Sequence, residues 1–275
     1  MTFSISCASQ CQWDLQTVYE TRKRLIFDLV NRKGSASVTE LIQILAVSDN
    51  TVRRDIKSMA REGLVKRVHG GATVLSLDGE EKPFASRRIE EQARKRAIAE
   101  LAITFLKDGE SVFIDGSTTC SELSRLLASG RRHTVVTDSL SVLLELSGKP
   151  GIELVLLGGA LDRDGNTFDG LLAVESARRV QVDRCFFSSR GFSIDGISNA
   201  GMIGSQVKQI MIQNSARCIL LADSTKHGQS GVIRLCGWRE VDVLVTDTGL
   251  PEDIAEAIGR AGTEVLRAPF PGEPT

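Results

Sequence analysis

The sequence predicts an α/β protein in two parts: an N-terminal winged helix-turn-helix and a larger body on a mainly parallel sheet. Two observations predict it. From Ser37 to Val74, two short amphipathic patterns are joined by a tight connection and followed by a hairpin signal at His69-Gly70-Gly71. Beyond residue 85, short apolar runs alternate with helical periodicity, the pattern of strands linked by crossover helices. Helix, turn, helix and wing, in that order, build a module that reads DNA.

Composition narrows the class. The chain has 275 residues, 41% of them hydrophobic, enough for one small and one medium core. No run approaches the ~20 apolar residues that span a bilayer. The start, MTFSISCASQCQWD, has no basic region followed by an apolar run and does not read as a signal peptide. Of six cysteines, Cys7 and Cys11 are close, but no second pair follows at zinc spacing; Cys185 and Cys218 lie in apolar runs and read as buried thiols. The expectation is a reduced, cytoplasmic protein with no metal, no cofactor and no membrane partner. Net charge is −1 overall, but residues 1–75 hold 11 Lys/Arg against 7 Asp/Glu, and the remainder 23 against 28. A basic head on an acidic body suits a head that binds a polyanion.

In chain order, residues 1–16 show no periodicity and read as a disordered tail. A helix begins near Thr17, with Leu25, Ile26, Leu29 and Val30 as its apolar stripe, and Gly34 ends it. Ser37 caps a second helix, with Glu40 completing a capping box, and Val38, Leu41, Ile42 and Leu45 form its inner face. Ala46-Val47 makes the turn. Ser48 caps a third helix that Gly63 stops. Val52, Ile56 and Met59 recur at helical spacing and pack inward, while Asn50, Arg53, Arg54 and Lys57 share the outward face. Asn and Arg pair with adenine and guanine edges, and Lys neutralises phosphate. Asp55 reads as a local ion-pair partner that holds an arginine. A solvated charged face would show the same spacing. The preceding helix, the following hairpin and the Arg53-Arg54 doublet distinguish this one. The hairpin carries Lys66, Arg67 and His69 for the DNA backbone. The candidate DNA contacts are Ser37, Ser48, Asn50, Thr51, Arg53, Arg54, Lys57, Lys66, Arg67 and His69.

These residues resemble the winged helix-turn-helix of the DeoR family of bacterial transcription regulators. The match is carried by Val38-Thr39-Glu40-Leu41, by Val47-Ser48-Asp49-Asn50-Thr51-Val52-Arg53-Arg54-Asp55-Ile56, and by Gly63-Leu64, Arg67 and His69-Gly70-Gly71-Ala72. Ile42 departs from it, standing where the family usually has a small alanine. The head is therefore assigned to residues 17–75, a linker to 76–85 and the body to 86–270. The body opens on one long helix, Arg87 to Lys107, whose Arg94-Lys95-Arg96 cluster reads as a solvated helix start.

Six apolar runs follow, at Val112–Ile114, Val135–Val136, Leu154–Leu157, Cys185–Phe187, Ile219–Leu221 and Val243–Val245, with helical patterns at about 119–129, 139–147, 171–180, 203–215 and 252–261. Each run ends in small or polar residues, and ligands of parallel α/β sheets bind at the carboxyl ends of strands. Ser117-Thr118-Thr119 opens a helix whose backbone N–H groups can hold a phosphate, Lys226 can add positive charge, and Asp115, Asp138 and Asp223 can accept from sugar hydroxyls. Any one junction can equally be a helix cap or turn; the combination of loop and distant Asp-x-x-Lys favours a site.

DGSTT at Asp115–Thr119, VVTDSL, IELVLLGGALD, FDG at Phe168–Gly170 and LLADSTKHG are similar to the DeoR C-terminal sensor domain, which resembles the ribose-5-phosphate isomerase and CoA-transferase fold. The resemblance implies an effector site at Asp115, Gly116, Ser117, Thr118, Thr119, Asp138, Gly158, Gly159, Asp223 and Lys226. It also implies a small phosphorylated metabolite as effector. Asp138 stands where the family usually has asparagine, and Gly204-Ser205-Gln206 where it often has acids. The expected function is a DNA-binding regulator of metabolic genes, most simply a repressor, acting on double-stranded operator DNA as a dimer or tetramer. A phosphosugar isomerase with an accessory head is the alternative. Its rim has carboxylates and a lysine, but no carboxylate pair can be placed and a DNA module is attached. An RNA reader needs stacking aromatics, and residues 37–75 contain no Phe, Tyr or Trp.

Overall fold

The computed structural model describes residues 8–74, 82–127, 131–162 and 166–270; for residues 8–18, Arg32 and Ile203 it describes the backbone alone. The chain divides into two compact units, Met1–Glu90 and Glu91–Thr275.

The first unit contains α1 (Ala8–Lys33), β1 (Ser35–Ser37), α2 (Val38–Leu45), α3 (Asp49–Arg61), β2 (Lys66–Val68), β3 (Gly71–Thr73) and α4 (Phe84–Ile89). Helix α1 starts nine residues before the expected Thr17, because no Gly or Pro interrupts residues 8–33. Residues 1–7 of the expected tail and 75–81 of the expected linker lie outside the described residues. Ser37 caps α2 by accepting from Glu40 N at 3.1 Å, and Ser48 caps α3 by accepting from Thr51 N at 3.3 Å. Between them Ala46 takes the left-handed conformation, φ 52°, that turns the chain. The wing is a three-stranded sheet in the order β1-β3-β2, so the hairpin gains a strand that the sequence pattern did not show. Gly71 makes this possible: a Cβ there would lie 2.2 Å from Ala36 O.

Ile26, Phe27, Leu29, Val30, Leu41, Val52, Ile56 and Met59 form the head's core, with Ile42 packed partly buried against it. Through that core runs one ion pair. Asp55, on the inner face of α3, is 1% exposed and takes Arg22 Nε at 2.8 Å and Arg22 Nη2 at 3.3 Å. The expected local partner of Asp55 is thus replaced by a residue of α1; the local pair on α3 is Asp49–Arg53, at 2.5 Å.

The expected single helix from Arg87 to Lys107 is two. It breaks at Glu90-Glu91, where Glu91 has φ 50°, and α5 (Gln92–Ala102) begins the second unit. The reason lies upstream. Ser86 Oγ donates to Gly63 O at 3.0 Å, and Ala85 and Ile89 pack on the head's core, so these residues serve the first unit. The expected linker and body boundary at 85/86 accordingly falls inside α4.

The second unit continues with β4 (Ser111–Ile114), α6 (Thr118–Leu126), β5 (His133–Thr137), α7 (Leu140–Leu146), β6 (Ile152–Leu156), β7 (Ala160–Asp162), β8 (Thr167–Asp169), α8 (Leu171–Ala177), β9 (Val182–Phe187), β10 (Gly191–Ser193), β11 (Gly196–Asn199), α9 (Met202–Gln213), β12 (Ser215–Leu221), β13 (Ile233–Cys236), β14 (Val243–Asp247), α10 (Glu252–Arg260) and β15 (Glu264–Ala268). Seven strands form a parallel sheet in the order β15-β14-β12-β9-β4-β5-β6. All six expected runs are in it; β15 is the seventh. Alternate residues feed two cores. Val112, Ile114 and Phe186 face one helical layer, and Phe113, Cys185 and Phe187 face the other. Strand order reverses between β4 and β9: β5 and β6 lie to one side, and β12, β14 and β15 to the other. That reversal is where the crevice of a parallel sheet opens.

Removing Arg22 would leave the Asp55 carboxylate charged and buried, which typically costs about 3 kcal/mol or more. Arg22→Met is expected to lower the head's unfolding free energy by that order, read from the shift of its denaturation midpoint. An unfolding curve unchanged from wild type would show that Asp55 is satisfied without α1.

Candidate DNA interface and strand-end cleft

Helix α3 separates its faces as the sequence predicts. Val52, Ile56 and Met59 are buried, and Asn50, Arg53, Arg54 and Lys57 are exposed. Its inner face is fixed twice, by apolar packing and by the Arg22–Asp55 pair. The outer cations are therefore presented on a rigid rod rather than a mobile one. Lys66, Arg67 and His69 on the wing are exposed as well. Arg53, Arg67, His69, Gly70 and Gly71 line a hollow of about 290 Å³ between α3 and the wing, floored by Val38 and Ile56. Two arginines from different elements thus border one hollow, an arrangement that suits a backbone phosphate beside a base edge. Ser37 and Ser48 spend their hydroxyls on caps, and Thr51 Oγ1 lies 2.9 Å from Ser48 Oγ. These three contribute through the helix starts that they shape.

In the second unit, the cleft is built where the strand order reverses. Asp115 follows β4 and is fully buried. Its Oδ1 accepts from Ser117 N at 2.9 Å; its Oδ2 accepts from Ser188 N, beyond β9, at 2.8 Å and pairs with Lys208 Nζ of α9 at 2.9 Å. Burial pushes the Asp115 carboxyl up, but the Lys208 ammonium and the donors from Ser117 and Ser188 outweigh it and hold it below the usual carboxylate range. Lys208 also donates to Ser188 O at 3.1 Å, and Lys226 donates to Ser188 Oγ at 2.7 Å. Ser188 is therefore the hub between Asp115, Lys208 and Lys226, and neither Ser188 nor Lys208 is among the sequence-predicted site residues. The signal was present: Ser188-Ser189 ends an apolar run as the other junctions do. Lys208, mid-helix, had none.

The acids are not the freely accepting set that was expected. Asp115 has both oxygens engaged, and Asp223 accepts from Thr225 Oγ1. Asp138 is different. Fully buried, it has no hydrogen-bond partner on either oxygen. Burial, then the neighbouring Asp115 charge, pushes its carboxyl up to about 7. Asp169 of β8 is raised too, by burial first, and its Oδ1 has no partner. A Cβ on Gly204 would sit 3.7 Å from that oxygen, so an acid in this part of α9 would crowd Asp169 with like charge. Thr119 Oγ1, in the first turn of α6, and Ser189 Oγ, just beyond β9, are also buried without partners. Ser117 Oγ caps α6 through Cys120 N at 3.2 Å. Gly116 has no room for a side chain, since a Cβ would meet Thr167 Cγ2 at 2.2 Å; β8 thus lies directly over the loop. Gly158 and Gly159 follow β6 with positive φ, 76° and 113°.

The Arg94-Lys95-Arg96 cluster is not a solvated start. Lys95 is 4% exposed, Arg94 pairs with buried Asp247 at 2.5 Å, and Arg96 alone lies open, paired with Glu100. A second hollow of about 790 Å³, bordered by Arg234, Trp238, Arg239 and Arg260, holds none of the sequence-predicted residues. It lies away from the carboxyl ends of the strands. Among the described residues no cluster of His, Cys, Asp or Glu has the form of a metal site, and no helix is long and apolar enough to cross a membrane.

Comparison with known proteins agrees with this division. The model of the DeoR-like helix-turn-helix domain matches residues 22–77, and that of the DeoR C terminal sensor domain matches residues 90–248. An uncharacterized HTH-type transcriptional regulator of Bacillus subtilis, YulB, is 32% identical over 90% of this chain and 96% of its own. A putative aga operon transcriptional repressor of Escherichia coli O157:H7 is 28% identical over 89% of this chain and 92% of its own. Among solved structures, ribose 5-phosphate isomerase A from Methanocaldococcus jannaschii is similar over 48% of this chain and 53% of its own, at 17% identity and a TM-score of 0.35.

The state of Asp138 has a pH signature. A carboxyl whose folded pKa is raised contributes full stability below its unfolded pKa and loses it as pH rises through the folded value. From about pH 4 to about pH 7, Asp138 should cost the fold up to ~1.4 kcal/mol per pH unit. Asp138→Asn keeps the shape and removes the proton. Its stability advantage over wild type should grow between about pH 4 and about pH 7 and level off above that in urea titrations. Parallel profiles would mean that Asp138 is ionised throughout.

Proposed function

The chain belongs to the DeoR family of DNA-binding transcriptional regulators, and from that premise we propose that it represses metabolic genes and that a small phosphorylated metabolite in the strand-end cleft releases it from DNA. The observation that carries the effector reading is the set of buried, unpartnered polar atoms on Thr119, Asp138, Asp169 and Ser189 beside Lys208 and Lys226. Buried polar groups without partners are costly, and a polyhydroxylated ligand supplies the missing donors and acceptors. Its phosphate takes the Ser117–Thr119 helix start and Lys226. Its hydroxyls take the inner acids.

The DNA half rests on the exposed face of α3. Asn50, Arg53, Arg54 and Lys57 read base edges in the major groove, and Lys66, Arg67 and His69 hold the backbone. The chain acts as a homo-oligomer on repeated half-sites, as dimeric helix-turn-helix proteins do. The repressor sense follows the E. coli relative, a putative aga operon transcriptional repressor.

Two measurements test these assignments. On a duplex selected from random sequence by the wild-type chain, Arg53→Ala should cost ~1–3 kcal/mol and relax base preference, while Lys66→Ala should weaken all sequences alike and flatten the salt slope by about one unit. Loss of preference with Lys66→Ala but not with Arg53→Ala would reverse the two roles. A thermal-shift screen of sugar phosphates on the full chain should yield a ligand that raises the melting temperature. Lys226→Ala should abolish that shift while leaving DNA binding intact. A full shift in the variant removes Lys226 from the site.

A further inference from the structure

One group at the strand ends is left over by both readings. Arg94, in the first turn of α5, sends Nη1 to Ser224 Oγ and to Asp247 Oδ1, each at 2.5 Å, while its Nε reaches back to Glu91 Oε2 at 2.9 Å. Asp247, at the end of β14, is fully buried and also accepts from Ser224 N at 2.7 Å, Ser224 Oγ at 2.8 Å and Gly249 N at 3.0 Å. The guanidinium lies 4.2 Å from the centre of the Phe270 ring, which covers its face. Both faces of this knot matter. Ser224 sits in the turn that runs from Asp223 to Lys226, and Lys226 donates to Ser188, the hub of the cleft. Glu91, at the other end of Arg94, is the residue at which the second unit begins.

We propose that Arg94 is the positioning residue of the Asp223–Lys226 loop, and that through it the state of the cleft is read at Glu91, where the chain enters the sensor from the head. A guanidinium with a ring on one face and three oxygens at its edge has one low-energy placement. A shift of the loop that moves Ser224 must therefore either break its bond to Arg94, along with its two bonds to Asp247, or drag the first turn of α5 with it. Glu91, held in a left-handed conformation by no glycine, is the position where such a drag is delivered. The inference rests on the reading of the strand-end cleft as the effector site, but its test needs no effector.

Full-length chains carrying Ser224→Ala, Arg94→Gln, both together, and Arg94→Lys are compared by two readouts. One is hydrogen exchange at the backbone amides of residues 90–96. The other is affinity for the duplex selected by the wild-type chain. Ser224→Ala and Arg94→Gln are each expected to raise exchange at residues 90–96 and to change DNA affinity in the same direction by about fivefold or more. The double variant should do no more than either alone, because both cut one connection. Arg94→Lys, which keeps the charge, should recover part of the wild-type affinity. A merely structural arginine would lower the sensor's melting temperature and leave DNA affinity within about twofold of wild type; that result, or full additivity of the pair, overturns the proposal. If Arg94→Gln does not fold, Ser224→Ala and Arg94→Lys still decide it by the same two readouts. Failure here with Lys226→Ala still abolishing the thermal shift would discard the positioning role and keep the effector site. The converse pattern would keep the connection and discard the site.

Discussion

The second unit depends on the burial of one charge. Asp115 stands at the reversal of strand order with no solvent around it, and a carboxylate there is tolerable only because both of its oxygens are engaged by donors. Ser117 N, Ser188 N and Lys208 are those donors. Each partner belongs to a different piece of the fold: the loop into α6, the end of β9 and the middle of α9. The carboxylate therefore fixes three backbones at once. It also fixes the lysine that would otherwise be a solvated cation. Ser188, held by Asp115, is what Lys226 reaches, and that brings in the loop after β12. The cleft is shaped by charge compensation before any ligand arrives.

The head repeats this logic on a smaller scale. A helix that presents cations outward must not roll, and an apolar stripe alone permits some rolling. Asp55, buried on the inward face of α3 and held by two bonds from Arg22 of α1, sets the azimuth. An acid on the recognition helix is thus no blemish in a basic surface. Facing inward and neutralised by Arg22, it subtracts little from the outward potential that Arg54 and Lys57 create.

What could be read from sequence, and what could not, follows from the range of the interaction. The stripes of α2 and α3, their serine caps and the six apolar strands are local patterns with periods of 3.6 or 2, and each is found where expected. The ion pairs are not local. Arg22 meets Asp55, Asp115 meets Lys208 and Arg94 meets Asp247 across 33, 93 and 153 positions of the chain, and no spacing rule relates them. So local spacing points Asp55 to a neighbour, gives Lys208 no role and makes Arg94 a solvated cation, and the structure differs at all three. Weak local signals account for the rest. Strand β15, Glu264–Ala268, mixes two charged residues with half-buried ones at the sheet's edge, which blunts its alternation. The break at Glu91 carries no glycine or proline to announce it. It exists because Ala85, Ser86 and Ile89 have better partners in the head than a continued helix would give them.

Asp138 shows how far a single departure from a family pattern carries. An asparagine at that position brings its own donor to a pocket already holding Asp115 and Asp169. The carboxylate brings none, and its two oxygens stay unpartnered beside β8, whose Phe168 N donates to the Asp138 carbonyl. The site responds by holding the proton near neutrality rather than the charge. Protonated Asp138 is a hydrogen-bond donor where the ionised form only accepts, so the same side chain offers two chemistries on either side of about pH 7. A ligand acceptor at this position favours the protonated form and raises the pKa further; a ligand donor or cation lowers it. By linkage, the ligand's own affinity must then change with pH in the matching direction.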